Sequence, residues 1–270
     1  MIQFDNKICH VTFSHSSYKD LWPVYFGETK KLFDNNMTHF LCVDQIIEEI
    51  PEGIVPIVYD QSESYPHRLT YCLQALEQYE FIFFDHEDMF LYGKPDEKIL
   101  LEYYQVMKEG RLDHIRLIKG GSCLSKPFDD IPSLHLLSLR SKWIFSIQPS
   151  FWKRDKLIEV LSKNLDCNIW ELEGKSQEVV KNIKLRAAYS YQKGGVKRGF
   201  FHFDNLIYPY IATAIGKGRW NYKEYKTELS KVFLKYRIDP AIRGESDETN
   251  LITLLKRIVK RTLKPKNSLL

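Results

Sequence analysis

The sequence predicts an α/β protein whose mixed, mostly parallel sheet carries helices on both faces, and three observations predict it. Four short apolar segments, Lys7–Phe13 (KICHVTF), His39–Val43 (HFLCV), Ile54–Tyr59 (IVPIVY) and Phe81–Phe84 (FIFF), alternate with stretches of helical period. The last is apolar at every position, as expected of a strand buried on both faces. The chain of 270 residues, 44% hydrophobic and 14% aromatic, is long and apolar enough to bury a core.

Each element has a local reason. After the first strand, SHSSYKDLW supplies polar turn residues before a helical stretch running through Leu32. Between Tyr65 and Tyr79, Leu69, Cys72, Leu73 and Leu76 recur at helical spacing, and Pro66 suits a first turn. The helical period returns over Asp96–Lys108, where Gly110 stops it. His114–Ile118, Leu134–Leu139 and Trp143–Gln148 read as further strands, with loops at Gly120-Gly121 and Pro127–Pro132. Ser150–Lys163 reads as a helix opened by a serine, Asn168–Val180 as another, and Lys197–Phe203 as a strand.

Composition excludes several classes. The net charge is +4, yet Thr249–Leu270 holds Lys256, Arg257, Lys260, Arg261, Lys264 and Lys266 and no acid, so the rest of the chain is slightly acidic. Basicity confined to one end does not suit a nucleic-acid surface over the body, and no nucleic acid is expected as a partner. Cys9, Cys42, Cys72, Cys123 and Cys167 are widely spaced with no CxxC, which argues for free thiols in a reducing cytosol and against zinc or a disulfide framework. The first residues lack a basic segment followed by a long apolar run, and no stretch reaches the ~18 apolar residues of a membrane span. The expectation is a cytoplasmic protein, soluble or peripheral on the cytoplasmic membrane face. No GxxxxGK[ST] or GxGxxG is present, which disfavours kinases, helicases and dinucleotide enzymes.

The sharpest chemical signal is Asp85-His86-Glu87-Asp88, directly after the apolar Phe81–Phe84. Carboxylates at the exit of a buried strand repel one another and resist desolvation unless a cation or hydrogen-bond donors compensate. In open α/β sheets, ligands bind outside the carboxyl ends of the strands. Residues i and i+2 of an extended segment share a side, so Asp85 and Glu87 are expected to face one cation, with Asp88 pointing elsewhere or joining by a bend. Oxygen ligands of this kind suit Mn²⁺ or Mg²⁺.

These residues resemble the acidic motif of the GT-A fold, that of nucleotide-diphospho-sugar glycosyltransferases of bacterial or viral type. Asp85-His86-Glu87 has the spacing of a DxD motif with Glu at its third position, and Glu87-Asp88 resembles the ED ending of other members. The resemblance implies a metal bridging the diphosphate of a UDP- or GDP-type donor, with either pair as ligands. It extends over residues 7–221. Phe145–Leu161 followed by NIWELEGKS resembles the second half of such enzymes, where a Glu or Asp acts as general base, so Glu171 and Glu173 are the implied catalytic residues. Trp170 would line the sugar pocket and raise the pKa of the base by desolvation. Within Gly199–Asn221, His202 matches the late histidine that reaches the metal, and Lys217 and Arg219 would neutralise the diphosphate. Ser14, His15 and Asp44 follow the first two strands, where the family holds base and ribose, and Arg68 is placed to reach phosphate.

The domain expectation is a catalytic unit over 1–221, with a nucleotide half (1–95) and an acceptor half (96–221), then a helical extension over 222–270. In TNLITLLKRIVKRTLKPK, Leu251, Leu254, Leu255, Ile258, Val259 and Leu263 fall largely on one helical face between basic flanks. Such a basic amphipathic helix suits an anionic membrane surface. The function implied is a metal-assisted, hexosyltransferase-like glycosyltransferase of polysaccharide biosynthesis, moving a sugar to a glycan or lipid-linked acceptor. Two alternatives stay open: a sugar nucleotidyltransferase, disfavoured because SHSSYKD has no glycine, and a non-catalytic membrane- or partner-binding protein on the same fold.

Overall fold

The structure, a computed structural model, describes residues 4–29, 37–120, 123–128, 131–199 and 202–245. The basic stretch 249–270 lies outside the described residues, as do positions 30–36, which include the end of the first helical stretch.

The chain begins with β1 (Ile8–Phe13), buried along its whole length, then α1 (Trp22–Thr29), β2 (His39–Val43) and β3 (Ile54–Val58). α2 (Tyr65–Gln74) starts where the Ser64 hydroxyl accepts from the His67 amide and Pro66 occupies the first turn. β4 (Phe81–His86) is buried at all six positions, and α3 (Glu97–Lys108) is capped by Asp96. Then follow β5 (His114–Arg116), β6 (Lys119–Gly120), β7 (Ser125–Phe128), β8 (Ile131–Leu137) and β9 (Ser150–Lys153). After α4 (Arg154–Ser162) and α5 (Ile169–Asn182) come β10 (Ala187–Ser190), β11 (Lys197–Arg198) and β12 (His202–Phe203).

One sheet of nine strands runs in the order β3-β2-β1-β4-β9-β5-β10-β8-β7. Its first four strands are parallel, β9 lies antiparallel between β4 and β5, and β5 and β10 are parallel. This is a mixed α/β architecture, as the sequence predicts. Residues alternate between the two faces. Cys9, Val11, Ile82, Phe84 and Trp152 pack with Leu69, Leu73, Leu157, Leu161 and Leu172 of α2, α4 and α5. His10, Thr12, Phe83 and Asp85 point to the other face, toward Tyr25 of α1, Phe151 and Tyr208.

Three segments depart from the sequence reading. Trp143–Gln148 is not a strand: its backbone bonds to side chains of α5, with Ile144 and Phe145 amides donating to Gln177 Oε1 (2.7 and 3.3 Å) and Ile147 donating to Glu173 Oε1 (2.7 Å). Ser150–Lys153 is strand instead of helix, because Phe151 inserts between Phe83 and Ile115 of neighbouring strands. Much of Pro127–Pro132, expected as loop, belongs to the β7–β8 hairpin, and Pro127 is tolerated because β7 is an edge strand. Within Lys197–Phe203, expected as one strand, β11 and β12 are two short strands that pair antiparallel, and β12 also pairs with β6. There, a side chain on Gly195 would sit 2.2 Å from the Asp204 carbonyl oxygen. Gly195→Ala is therefore expected to lower stability by about 1–3 kcal/mol, measured by urea unfolding.

The chain divides into compact units Met1–Ala212 and Thr213–Leu270, a boundary earlier than Asn221. Thr213–Asn221 falls in the second unit as a hairpin of β13 (Ile215–Gly216) and β14 (Arg219–Trp220), followed by α6 (Lys226–Tyr236). Cys9, Cys42, Cys72, Cys123 and Cys167 are free thiols, and Cys123 alone of them is not buried. Among the described residues no helix is long and apolar enough to cross a membrane.

Candidate functional site

The parallel strands β1, β2 and β4 end together, and the loops that leave them carry the expected polar residues. Asp44, just past β2, accepts from the Ser16 amide (2.6 Å) and hydroxyl (2.7 Å), and His15 Nε2 lies 3.5 Å away. Burial works against the Asp44 charge, but these donors outweigh it and hold its pKa below the ordinary carboxylate value. Trp22 Nε1 donates to Ser14 Oγ (2.9 Å), and the Tyr59 hydroxyl donates to the Ser14 carbonyl (2.6 Å). Ser14, His15 and Asp44 are thus one tied loop pair. Arg68 donates to the carbonyls of Glu63 and Gln61 (both 2.6 Å) and stands 5.4 Å from the Tyr59 ring centroid.

The acidic stretch after the apolar strand splits in two. Asp85 is fully buried and faces away from the other acids: Oδ1 accepts from Tyr25 (2.6 Å) and Thr12 (2.9 Å), while His10 Nε2 is 3.1 Å from Oδ2. The sequence reading put Asp85 beside Glu87, but the strand ends at His86 and Glu87 opens a turn, so the alternation no longer applies. His86, on the α2 side, pairs with the Tyr65 hydroxyl (2.8 Å); burial lowers its pKa to about 4 and keeps it neutral.

Glu87 is the anomaly. It is 6% exposed, its Oε2 is buried with no partner among the described residues, and burial, followed by the neighbouring Asp88 charge, raises its pKa well above the usual carboxylate value. A group whose folded pKa is raised contributes most stability below its unfolded pKa and loses that contribution as pH rises through the folded value. Glu87→Gln is therefore expected to stabilise the protein by about 1–2 kcal/mol at pH 8 and less at pH 5, by urea unfolding.

The two glutamates of α5 separate cleanly. Glu171 is exposed and closes a capping box with Asn168, accepting from the Asn168 amide (3.4 Å) while Asn168 Oδ1 accepts from the amide of Glu171 (3.0 Å). Glu173 is half-buried; burial raises its pKa, and the Arg116 charge partly opposes this. Tyr65 feels the charges of both Glu173 and Glu87, so both carboxylates flank the start of α2. Trp170 is 82% exposed and desolvates neither glutamate.

The remaining expected ligands stand apart. Among the described residues no three His, Cys, Asp or Glu side chains gather as a ready cation site, so Asp85, Glu87, Asp88 and His202 do not converge. His202 lies in β12, within electrostatic reach of Asp204 and Arg198. Lys217 and Arg219 belong to the second unit, where Lys217 (φ 51) and Gly218 (φ 78) form the hairpin turn. Sequence reasoning missed Arg116 and Lys119; a short strand ending in basic residues was the available signal.

No protein-family model matches the chain, and no curated protein matches it. Solved structures resemble it at low identity. Residues 1–349 of S. aureus TarS share 12% identity at a TM-score of 0.46, covering 88% of this chain and 68% of that one. A CMP:2-keto-3-deoxy-manno-octonic acid synthetase complexed with CTP shares 12% at 0.44, covering 68% and 89%. A protein of Desulfovibrio desulfuricans G20, provisionally named a nucleotide-diphospho-sugar transferase, shares 10% at 0.41, covering 68% and 79%.

Proposed function

We propose that this protein is a glycosyltransferase that moves a sugar from a nucleotide-diphosphate donor to a glycan or lipid-linked acceptor. One observation carries the reading: Glu87, buried at the carboxyl end of a central parallel strand, keeps an oxygen without a partner among the described residues, beside a second carboxylate, Asp88. A desolvated carboxylate of this kind takes up a proton or a cation. Two carboxylates are also what Mg²⁺ or Mn²⁺ commonly takes from a protein when substrate phosphates complete its shell. Glu87 and Asp88 therefore fit a divalent ion, without Asp85 or His202. When bound, that ion would neutralise charge on the leaving diphosphate.

The chain's own residues would do the rest. Ser14, His15 and Asp44, with Tyr59 and Arg68, offer a preformed polar floor for the nucleoside. Glu173 has Oε1 held by the Ile147 amide, while its other oxygen takes no hydrogen bond from the described residues. It suits the general base that accepts the proton of the attacking hydroxyl. The glycine-free Ser14–Asp20 loop continues to disfavour a nucleotidyltransferase.

The test is calorimetric titration of UDP, GDP, CDP and a UDP-sugar, with and without Mn²⁺, on the wild type and on a Glu87→Ala, Asp88→Ala variant. The reading expects one nucleotide to bind, metal to tighten it at least tenfold, and the variant to lose that gain. Absence of binding at millimolar nucleotide would sink it.

A further inference from the structure

Two cations leave the end of β5 without a carboxylate partner among the described residues: Arg116 and Lys119. Their neighbours in the same half are matched, with Arg186 2.6 Å from Asp113 and Arg198 2.8 Å from Asp204. Arg116 is 1% exposed; Nη2 donates to Cys123 Sγ (2.8 Å), and the buried Nε has no partner among the described residues. A buried guanidinium with an unused donor is costly, and its planar fork is suited to an oxyanion. Lys119, partly exposed, holds Nζ 3.9 Å from the Tyr191 ring centroid and 4.9 Å from that of Phe203. Those two rings meet edge to face at 5.8 Å and are themselves partly exposed. His135 stacks at 5.0 Å on Tyr189, whose ring is 5.9 Å from the Arg116 guanidinium.

Position separates this cluster from the nucleotide end. β5 runs parallel to β4, since both pair antiparallel with the intervening β9. Arg116 is level with Phe84 by register, so it lies toward the same edge of the sheet as Glu87 but two strand spacings to the side of β4, about 10 Å. Tyr191, just past β10, shares that edge, and the Arg116 charge reaches Glu173. A sugar seated on Tyr191 and Phe203 would therefore lie toward the proposed base and away from the nucleoside loops.

Resting on the transferase reading, we propose that this strand end is the acceptor subsite and that the acceptor is an anionic glycan. Its phosphate or carboxylate would be read by Lys119 and Arg116, and its sugar ring would rest on Tyr191 and Phe203. Charge-assisted bonds to an oxyanion satisfy the unused Arg116 donor, and the aromatic faces offer apolar contact to sugar C–H groups.

The experiment is titration, without nucleotide, of glucose 6-phosphate, glucuronate, methyl glucoside and inorganic phosphate into wild type, Lys119→Met and Arg116→Lys, followed by calorimetry or ligand-observed NMR. One or both anionic sugars should bind at least tenfold more tightly than methyl glucoside, and the stronger of the two identifies the anion. Lys119→Met, at a partly exposed position, should remove most of that preference while leaving nucleotide affinity unchanged. Equal binding of neutral and charged sugars, or an anionic preference that survives Lys119→Met, overturns the proposal. Inorganic phosphate binding as well as the phosphosugar would overturn the aromatic platform. Anionic sugars binding where no nucleotide binds would keep this subsite and reject the transferase; nucleotide binding without anionic preference would do the reverse.

Discussion

Replacing Asp85 by alanine should cost about 3–5 kcal/mol of stability, the range for breaking a buried charged network by removing one partner. Four side chains depend on that carboxylate directly or through one another. Tyr25, Thr12 and His10 meet it at 2.6, 2.9 and 3.1 Å, and Thr12 Oγ1 also meets His39 Nε2 at 2.8 Å, with the His39 ring stacked 3.9 Å from that of His10. Tyr25, Thr12 and Asp85 are fully buried, so alanine would strand hydroxyl and imidazole donors where water cannot reach them. Tyr25→Phe removes one donor and should cost about 1–2 kcal/mol. Both are read by urea unfolding at neutral pH. Nucleotide affinity per folded molecule should change little in Tyr25→Phe, because this network faces α1 and not the loops around Glu87. A loss of affinity in Tyr25→Phe with stability intact would show that the network serves the ligand.

The same residue shows where the sequence was legible and where it was not. The run Phe81–Phe84 declares a strand buried on both faces, and His39–Val43 is observed with the expected bounds. The helices Tyr65–Gln74, Glu97–Lys108 and Ile169–Asn182 fall where the helical spacing put them, and each is opened by a local cap, Ser64, Asp96 or Asn168. Asp85 could not be resolved that way: Tyr25, Thr12 and His10 are 60, 73 and 75 positions distant in sequence. Long-range pairing also hid β9, whose aromatic residues form a strand because two neighbouring strands are there to receive them. The Trp143–Gln148 segment inverts the case, being strand-like in composition but bonded to the Gln177 and Glu173 side chains. At the proposed site, residue types pointed to the carboxyl edge of the parallel strands, whereas the split between Asp85 and Glu87 depended on a strand ending one residue earlier than the alternation required.

Glu173→Gln should lower kcat by about 10²–10⁴, the usual contribution of a positioned general base, whereas Glu171→Ala should leave kcat within about twofold. The difference follows from their places on α5. Glu171 caps its own helix in solvent, so its loss should cost about 1 kcal/mol of stability and nothing in chemistry. Glu173 is withdrawn from water, fixed through Oε1 by the Ile147 amide, and lies in the field of Arg116. Gln preserves the shape and accepts the same Ile147 bond through its amide oxygen, so a fall in rate would report lost basicity and not lost packing. The pH dependence carries a second sign. Burial raises the Glu173 pKa, and a base works only when ionised, so the acid limb of kcat should lie above the ordinary carboxylate range. Arg116 opposes that rise, so Arg116→Lys, whose compact ammonium stands farther from the carboxylate, should move the limb to still higher pH. Measured kcat profiles from pH 4.5 to 8 would decide it: an acid limb unmoved by Arg116→Lys, or a rate unaffected by Glu173→Gln, would return Glu173 to the role of a clamp on the Trp143–Gln148 backbone.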